Sequence, residues 1–119
     1  QMCKRYSKLV FPGAFTPTEI LTAWQAGADI VKVFPSDVTG PGYLKAIHGP
    51  LPYIRLMPTG GVTLETAGDF IRAGACVLGV GGALVSSKAI AAKNFSQIRD
   101  LARQYVNIVR EAREGSTAK

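Results

Sequence analysis

The chain has 119 residues, enough for one domain or part of one, and at 47% hydrophobic it can build a core. Its net charge of +6 sits at the ends: residues 9–87 hold four basic residues against five acids, while Lys4, Arg5, Lys8 and the seven basic residues after position 87 make the excess. No basic stripe interleaved with aromatics is present, so no nucleic-acid partner is expected, and no apolar run approaches the roughly 18 residues of a membrane span.

Residues 1–8, "QMCKRYSK", are polar and basic and lack the apolar stretch of a secretory leader; they read as the tail of a helix. Cys3 and Cys76 form no metal spacing. Both read as reduced thiols of a cytoplasmic protein with no metal and no cofactor, Cys76 within the core. A strand is predicted over 8–13, ending at Pro12 and Gly13. A helix over 17–26 opens with Thr16 as cap, Pro17 at the first helical position and Glu19 three residues on, a capping box. Trp24 on that helix is expected to pack between neighbours, and Gly27 supplies the left-handed stop. The next strand, 29–34, is rich in β-branched residues and closes on Phe34 and Pro35, yet carries Lys32 in its middle.

A helix near 41–48 follows, with His48 at its C-terminal end, where a cation complements the helix dipole. The strand 53–58 runs into "PTGG", and Thr63 opens a helix over 63–73 that Gly74 stops. Glu19 and Glu65 both fall in first turns, where a carboxylate complements the dipole. The strand 76–80 leads into Gly81 and Gly82, then come a short helix near 86–92 and a long one near 95–113. Ile98, Leu101, Ala102, Tyr105, Ile108, Val109 and Ala112 give the long helix its apolar stripe, and Asn94 with Gln97 suits its start. Residues 114–119 are expected as a frayed, flexible tail.

The chain also repeats itself weakly at an offset of 47: "TPTEILTAWQAGADIVKVF" lies over "TLETAGDFIRAGACVLGVG", with Lys32 on Gly79. Each unit is strand, helix, strand with short links, which favours a parallel sheet with right-handed crossovers. Four such βα units form either an open α/β sheet or half of a closed (βα)8 TIM barrel of about 250 residues. The strands are apolar on both faces, so helices on one side leave the other to be covered.

In parallel α/β folds, chemistry collects at the C-terminal ends of strands. Glycine pairs at 60–61 and 81–82 follow consecutive strands there, each leading toward a helix, which suits a phosphate held by backbone amides and helix N-termini. A lysine pointing into a barrel centre is desolvated, and desolvation favours the neutral, nucleophilic amine that attacks a ketone. Spacing alone leaves open a Lys32 paired with Asp37 or reaching out to solvent.

The stretches "VKVFPSD", "LPYIRLMPTGGV" and "GVGGALV", with "FPGAFTPTEI" before them, resemble the C-terminal half of the 2-keto-3-deoxy-6-phosphogluconate (KDPG) / 4-hydroxy-2-oxoglutarate aldolases. The resemblance covers nearly all of residues 3–113. It implies strands five to eight of an eight-stranded barrel in a homotrimeric, metal-independent class I aldolase, cleaving the sugar acid phosphate to pyruvate and glyceraldehyde 3-phosphate in the Entner–Doudoroff route. The related 6-phosphogalactonate aldolase activity is the alternative. Position by position, Lys32 matches the Schiff-base lysine; Phe34, Pro35, Thr59 and Pro12 match substrate-binding positions; Gly60, Gly61, Gly81 and Gly82 match the phosphate loops. Many members carry a serine at Gly82, whose hydroxyl helps hold phosphate. The family's general acid/base glutamate and carboxylate-binding arginine belong to its first four strands. The resemblance therefore implies a partner for this half, either that missing N-terminal half or a second copy, or else a catalytically incomplete fragment.

Overall fold

The computed structural model describes residues 1–117. Helix α1 (Met2–Arg5) is followed by strand β1 (Gly13–Ala14), helix α2 (Pro17–Gln25), strand β2 (Val31–Val33), helix α3 (Gly40–His48), strand β3 (Leu56–Pro58) and helices α4 (Ala67–Arg72), α5 (Ser87–Ala91) and α6 (Phe95–Thr117). The strands form a parallel sheet in the order β1-β2-β3, with Gly13 opposite Lys32 and Lys32 opposite Met57.

The ladder is shorter than the sequence predicts. The Val10 and Pro12 carbonyls accept from the Asp29 and Lys32 amides at 3.1 and 2.9 Å, yet only Gly13–Ala14 counts as strand. Pro12 has no N–H to return to the ladder. Residues 76–80 lie beside β3 through one Thr59–Gly79 bridge instead of a full strand. There the Cys76 and Gly79 amides donate to the Leu56 and Pro58 carbonyls at 3.0 and 2.9 Å. That segment has a strand neighbour on one side only, and Gly79 has no side chain to pack.

The capping box of α2 forms in full: the Thr16 hydroxyl accepts from the Glu19 amide, and the Glu19 carboxylate accepts from the Thr16 amide at 3.0 Å. The helix expected from Thr63 starts only at Ala67. Thr66 Oγ1 accepts from the Thr63 amide at 2.9 Å and donates to the Gly61 carbonyl at 2.7 Å, local bonds that turn the chain before the helix can begin. Gly27 and Gly74 take φ of +102° and +115° after their helices, as the stop signals require. Gly74 also admits His48, since a Cβ there would sit 2.8 Å from its Nδ1. Residues 114–117, expected as tail, continue α6; residues 118–119 lie outside the described residues.

The helices cover one face of the sheet. Val31, Val33, Leu56 and Pro58 point into them and are almost fully buried, in a core with Ile20, Leu44, Ile47, Ile54 and Phe70. Alternation turns Lys32 and Met57 the other way, and both are only half-buried. Leu9, Phe11 and Phe34 are 73%, 42% and 51% exposed, so no element among the described residues closes that second face. Trp24 packs edge-on to Tyr53, with ring centroids 6.4 Å apart. Cys76 is half-buried, and burial pushes its thiol up from the ordinary value.

Candidate active site

The predicted residues gather at the C-terminal ends of the strands, around the open face. β2 presents Lys32 from its centre, with Gly13 as its partner on one side and Met57 on the other. The Lys32 amide donates to the Pro12 carbonyl, which fixes the β1 end against it. The ammonium nitrogen lies 5.1 Å from the centre of the Phe34 ring, a cation–π contact. No carboxylate among the described residues comes within ion-pair distance of Lys32, so Asp37 does not hold it. The face that carries Lys32 is open, and Lys32 itself is half-buried.

The loop after β2 is tied to the end of β3. The Ser36 amide donates to the Thr59 carbonyl at 2.9 Å, and the Ser36 hydroxyl donates to the Val33 carbonyl at 2.7 Å. Ser36 is 1% exposed; sequence reasoning passed over it, because nothing local marks a serine after Phe-Pro as a buried clamp. Tyr43 in α3 does the same for the loop after β1, donating to the Phe15 carbonyl at 2.7 Å.

Thr59 is the one described side chain with a buried polar atom and no hydrogen-bond partner: its Oγ1 is closed off beside Gly79. A buried hydroxyl left without a partner costs free energy, and a native fold that keeps one calls for an explanation such as a ligand. Gly60 and Gly61 follow at φ of +90° and +69°, the left-handed region. Gly61 is pressed against Asp37, where an added Cβ would meet Cα and Cβ at 2.7 Å. Gly81 and Gly82 have open space around them, and the Gly81 carbonyl accepts from the Leu84 and Val85 amides. The two glycine pairs leave from neighbouring chain segments joined by the Thr59–Gly79 bridge. Neither pair opens a helix directly: α4 begins at Ala67 and α5 at Ser87. Helix dipoles act within about one turn, so loop amides are what these loops can offer an anion.

The family model for KDPG and KHG aldolase matches residues 1–101. The chain is 38% identical over 108 residues to the 2-dehydro-3-deoxy-6-phosphogalactonate aldolase of Escherichia coli (strain K12), covering 90% of this chain and 51% of that protein. It is 37% identical over 97 residues to the 2-dehydro-3-deoxy-phosphogluconate aldolase of Pseudomonas aeruginosa, covering 80% and 44% respectively. A solved structure described as native KDPGal superposes with a TM-score of 0.82 at 35% identity, over 93% of this chain and 52% of that one. The chain spans about half the length of the curated relatives it matches.

Proposed function

This chain belongs to the KDPG and KHG aldolase family, and from that premise we propose that it is the half of a class I aldolase barrel that carries the Schiff-base lysine, Lys32. The observation behind this reading is the register of Lys32: an amine in mid-strand on the open face, opposite Met57, two residues before Thr59 and its unpartnered hydroxyl. The substrate is 2-keto-3-deoxy-6-phosphogluconate, with 4-hydroxy-2-oxoglutarate also accepted. The 6-phosphogalactonate epimer is a second reading, favoured by the name of the Escherichia coli relative.

In this mechanism the neutral Lys32 amine attacks the C2 ketone, and the adduct takes up a proton from solvent and loses water, leaving a protonated imine. The C3–C4 bond breaks, its electron pair moves onto the imine nitrogen, and the C4 hydroxyl proton passes to a base. Glyceraldehyde 3-phosphate leaves. Protonation at C3 and return of water free pyruvate and the amine. Phe34, Pro35, Thr59 and Pro12 line the substrate pocket. Amides around Gly60, Gly61, Gly81 and Gly82 hold the phosphate. Covering the open face removes water from Lys32 and so favours its reactive form. The base belongs to the covering half, and without it cleavage slows by about 10²–10⁴-fold. The homotrimer that the resemblance implies is assigned to the closed barrel rather than to this half.

Trapping tests the reading. Pyruvate with borohydride should add irreversible mass at Lys32, and not at Lys45 or Lys88. Labelling spread evenly over the lysines would overturn it.

A further inference from the structure

The loops that end β2 and β3 touch at Asp37. Its Cα and Cβ pack against Gly61, where an added Cβ would meet both at 2.7 Å. Its carboxylate continues toward Gly60, with Oδ1 3.5 Å from where a Cβ would stand on that residue. The backbone before it is held, since the Ser36 amide is bonded to the Thr59 carbonyl and the Ser36 carbonyl to the Gly40 amide. The Asp37 carboxylate is exposed and makes no hydrogen bond or ion pair among the described residues. It does not cap α3, whose first amide goes to the Ser36 carbonyl. The Gly60, Gly61 and Gly82 amides donate to no acceptor among the described residues. Residues 34–39, 59–66 and 79–87 contain no Lys, Arg or His. The charged and titratable groups on the elements around Asp37 are Glu65 on the loop after β3, Lys32 on β2, and Tyr43, Lys45 and His48 on α3; none is bonded to it.

We propose that Asp37 sets the ionic form of the phosphate this site takes: the phosphomonoester binds as its monoanion, with its remaining O–H donating to the Asp37 carboxylate. The proposal rests on the phosphate reading above and names the form of the ligand held there. An anion seated on the Gly60 and Gly61 amides lies beside that carboxylate, because the carboxylate stands against the same two residues. A dianionic phosphate has no proton to offer. Two anions would then face each other with no cation on any of the three loops between them, and like charges at close range select against binding. The monoanion keeps one proton. An ionised carboxylate only accepts, and an O–H donated to it makes a charge-assisted bond roughly twice as strong as a neutral one. A phosphomonoester passes from one form to the other at about pH 6, so the preference is readable under mild conditions.

Glycerol 3-phosphate is the probe, a phosphomonoester with no carbonyl and so no imine chemistry. Titrated into the wild-type chain and followed by phosphorus NMR, it should bind about tenfold more tightly at about pH 5.5 than at about pH 8. The bound phosphate should also keep its proton to a higher pH than the free ester. Asp37→Asn should bind more tightly than wild type at the higher pH and lose most of the pH dependence. Asp37→Ala should do the same, and both variants keep the Cα and Cβ that pack on Gly61, so the loop stays in place. Methyl sulfate, a monoanion with no proton at either pH, controls for the charge of the protein as a whole. It should bind nearly equally at both pH values in wild type, and more tightly to Asp37→Asn. Wild-type pH dependence in both variants, or methyl sulfate following pH as the phosphate does, overturns the role of Asp37 and leaves the phosphate subsite standing. Saturable binding of neither ester by any of the three proteins overturns that role and the phosphate reading together.

Discussion

Gly61→Ala should unfold this protein many degrees earlier than wild type, while Gly82→Ala should leave it nearly untouched. Gly61 has φ of +69°, and a side chain in the left-handed region costs about 1–2 kcal/mol. Its Cβ would also lie 2.7 Å from both Cα and Cβ of Asp37. Asp37 has little room to give way, because Ser36 beside it is bonded to the Thr59 carbonyl and its own carbonyl accepts the Gly40 amide at 2.8 Å. Forcing the shift adds about 1–3 kcal/mol, the usual range for overpacking. The sum, about 2–5 kcal/mol, is a large share of the 5–15 kcal/mol that typically holds a domain together. At about 4 °C per kcal/mol for a chain of this size, the melting temperature should fall by about 8–20 °C. Gly82 has no atom within 4 Å of an added Cβ and does not lie at positive φ, so its alanine variant should melt within about 2 °C of wild type. Thermal melts followed by circular dichroism decide the matter. A Gly61→Ala midpoint within about 2 °C of wild type would refute the packing argument. The contrast also assigns uses: Gly82→Ala can report on phosphate binding without a stability penalty, and Gly61→Ala cannot.

Thr59→Val removes a buried hydroxyl that has no partner, so the variant should be as stable as wild type or up to about 1 kcal/mol more stable, while trapping of pyruvate at Lys32 slows; a variant less stable by more than that would mean the hydroxyl serves the fold. Asp29→Asn tests a pH dependence. The Lys4 ammonium at 2.6 Å, with help from the Val10 amide, holds the Asp29 carboxyl below its ordinary value of 3.8. A depressed folded-state value means stability that is present above 3.8 and lost as pH falls through the lower folded value. The melting-temperature gap between wild type and Asp29→Asn should therefore be full at neutral pH and close progressively below 3.8; a gap independent of pH would show that the carboxylate charge is not what stabilises this corner.

What was legible in the sequence is what neighbours along the chain decide. Thr16, Pro17 and Glu19 mark a helix start without reference to the rest of the fold, and Gly27 and Gly74 mark stops for the same reason. The apolar spacing of α6 is equally local. Strand extent was not legible, because a ladder is a property of pairs: Pro12 ends one by lacking a donor, and the segment 76–80 lacks a second neighbour. The Thr63–Thr66 turn was misread as helix because two threonine side chains compete for the backbone donors. The identities of Lys32, Thr59 and the glycine loops were readable as exceptions to pattern. Their geometry was not, including the Phe34 ring beside Lys32, the Ser36 clamp and the late helix starts after both loops.

The internal repeat explains how one scaffold came to hold two different polar groups. Its two units share their helix stops, and each approaches its helix through a threonine whose amide donates to the side chain three positions on, Glu19 in one and Thr66 in the other. They also share a long-range tie at the head of the second strand, Lys4 to Asp29 and Arg113 to the Cys76 carbonyl. They diverge on the open face. At the offset of 47, Lys32 corresponds to Gly79 and Pro12 to Thr59. Each polar side chain faces a glycine across the ladder: Lys32 stands opposite Gly13, which leaves open space, and Thr59 stands opposite Gly79, where any Cβ would strike its hydroxyl. Lysine and glycine are both poor choices inside a strand when judged alone. Taken as cross-strand pairs they are consistent, since the glycine clears the volume that the polar group and its ligand need. Both pairs put a residue poorly suited to strands on the open face, and departures of that kind are expected where a fold gives up stability for function.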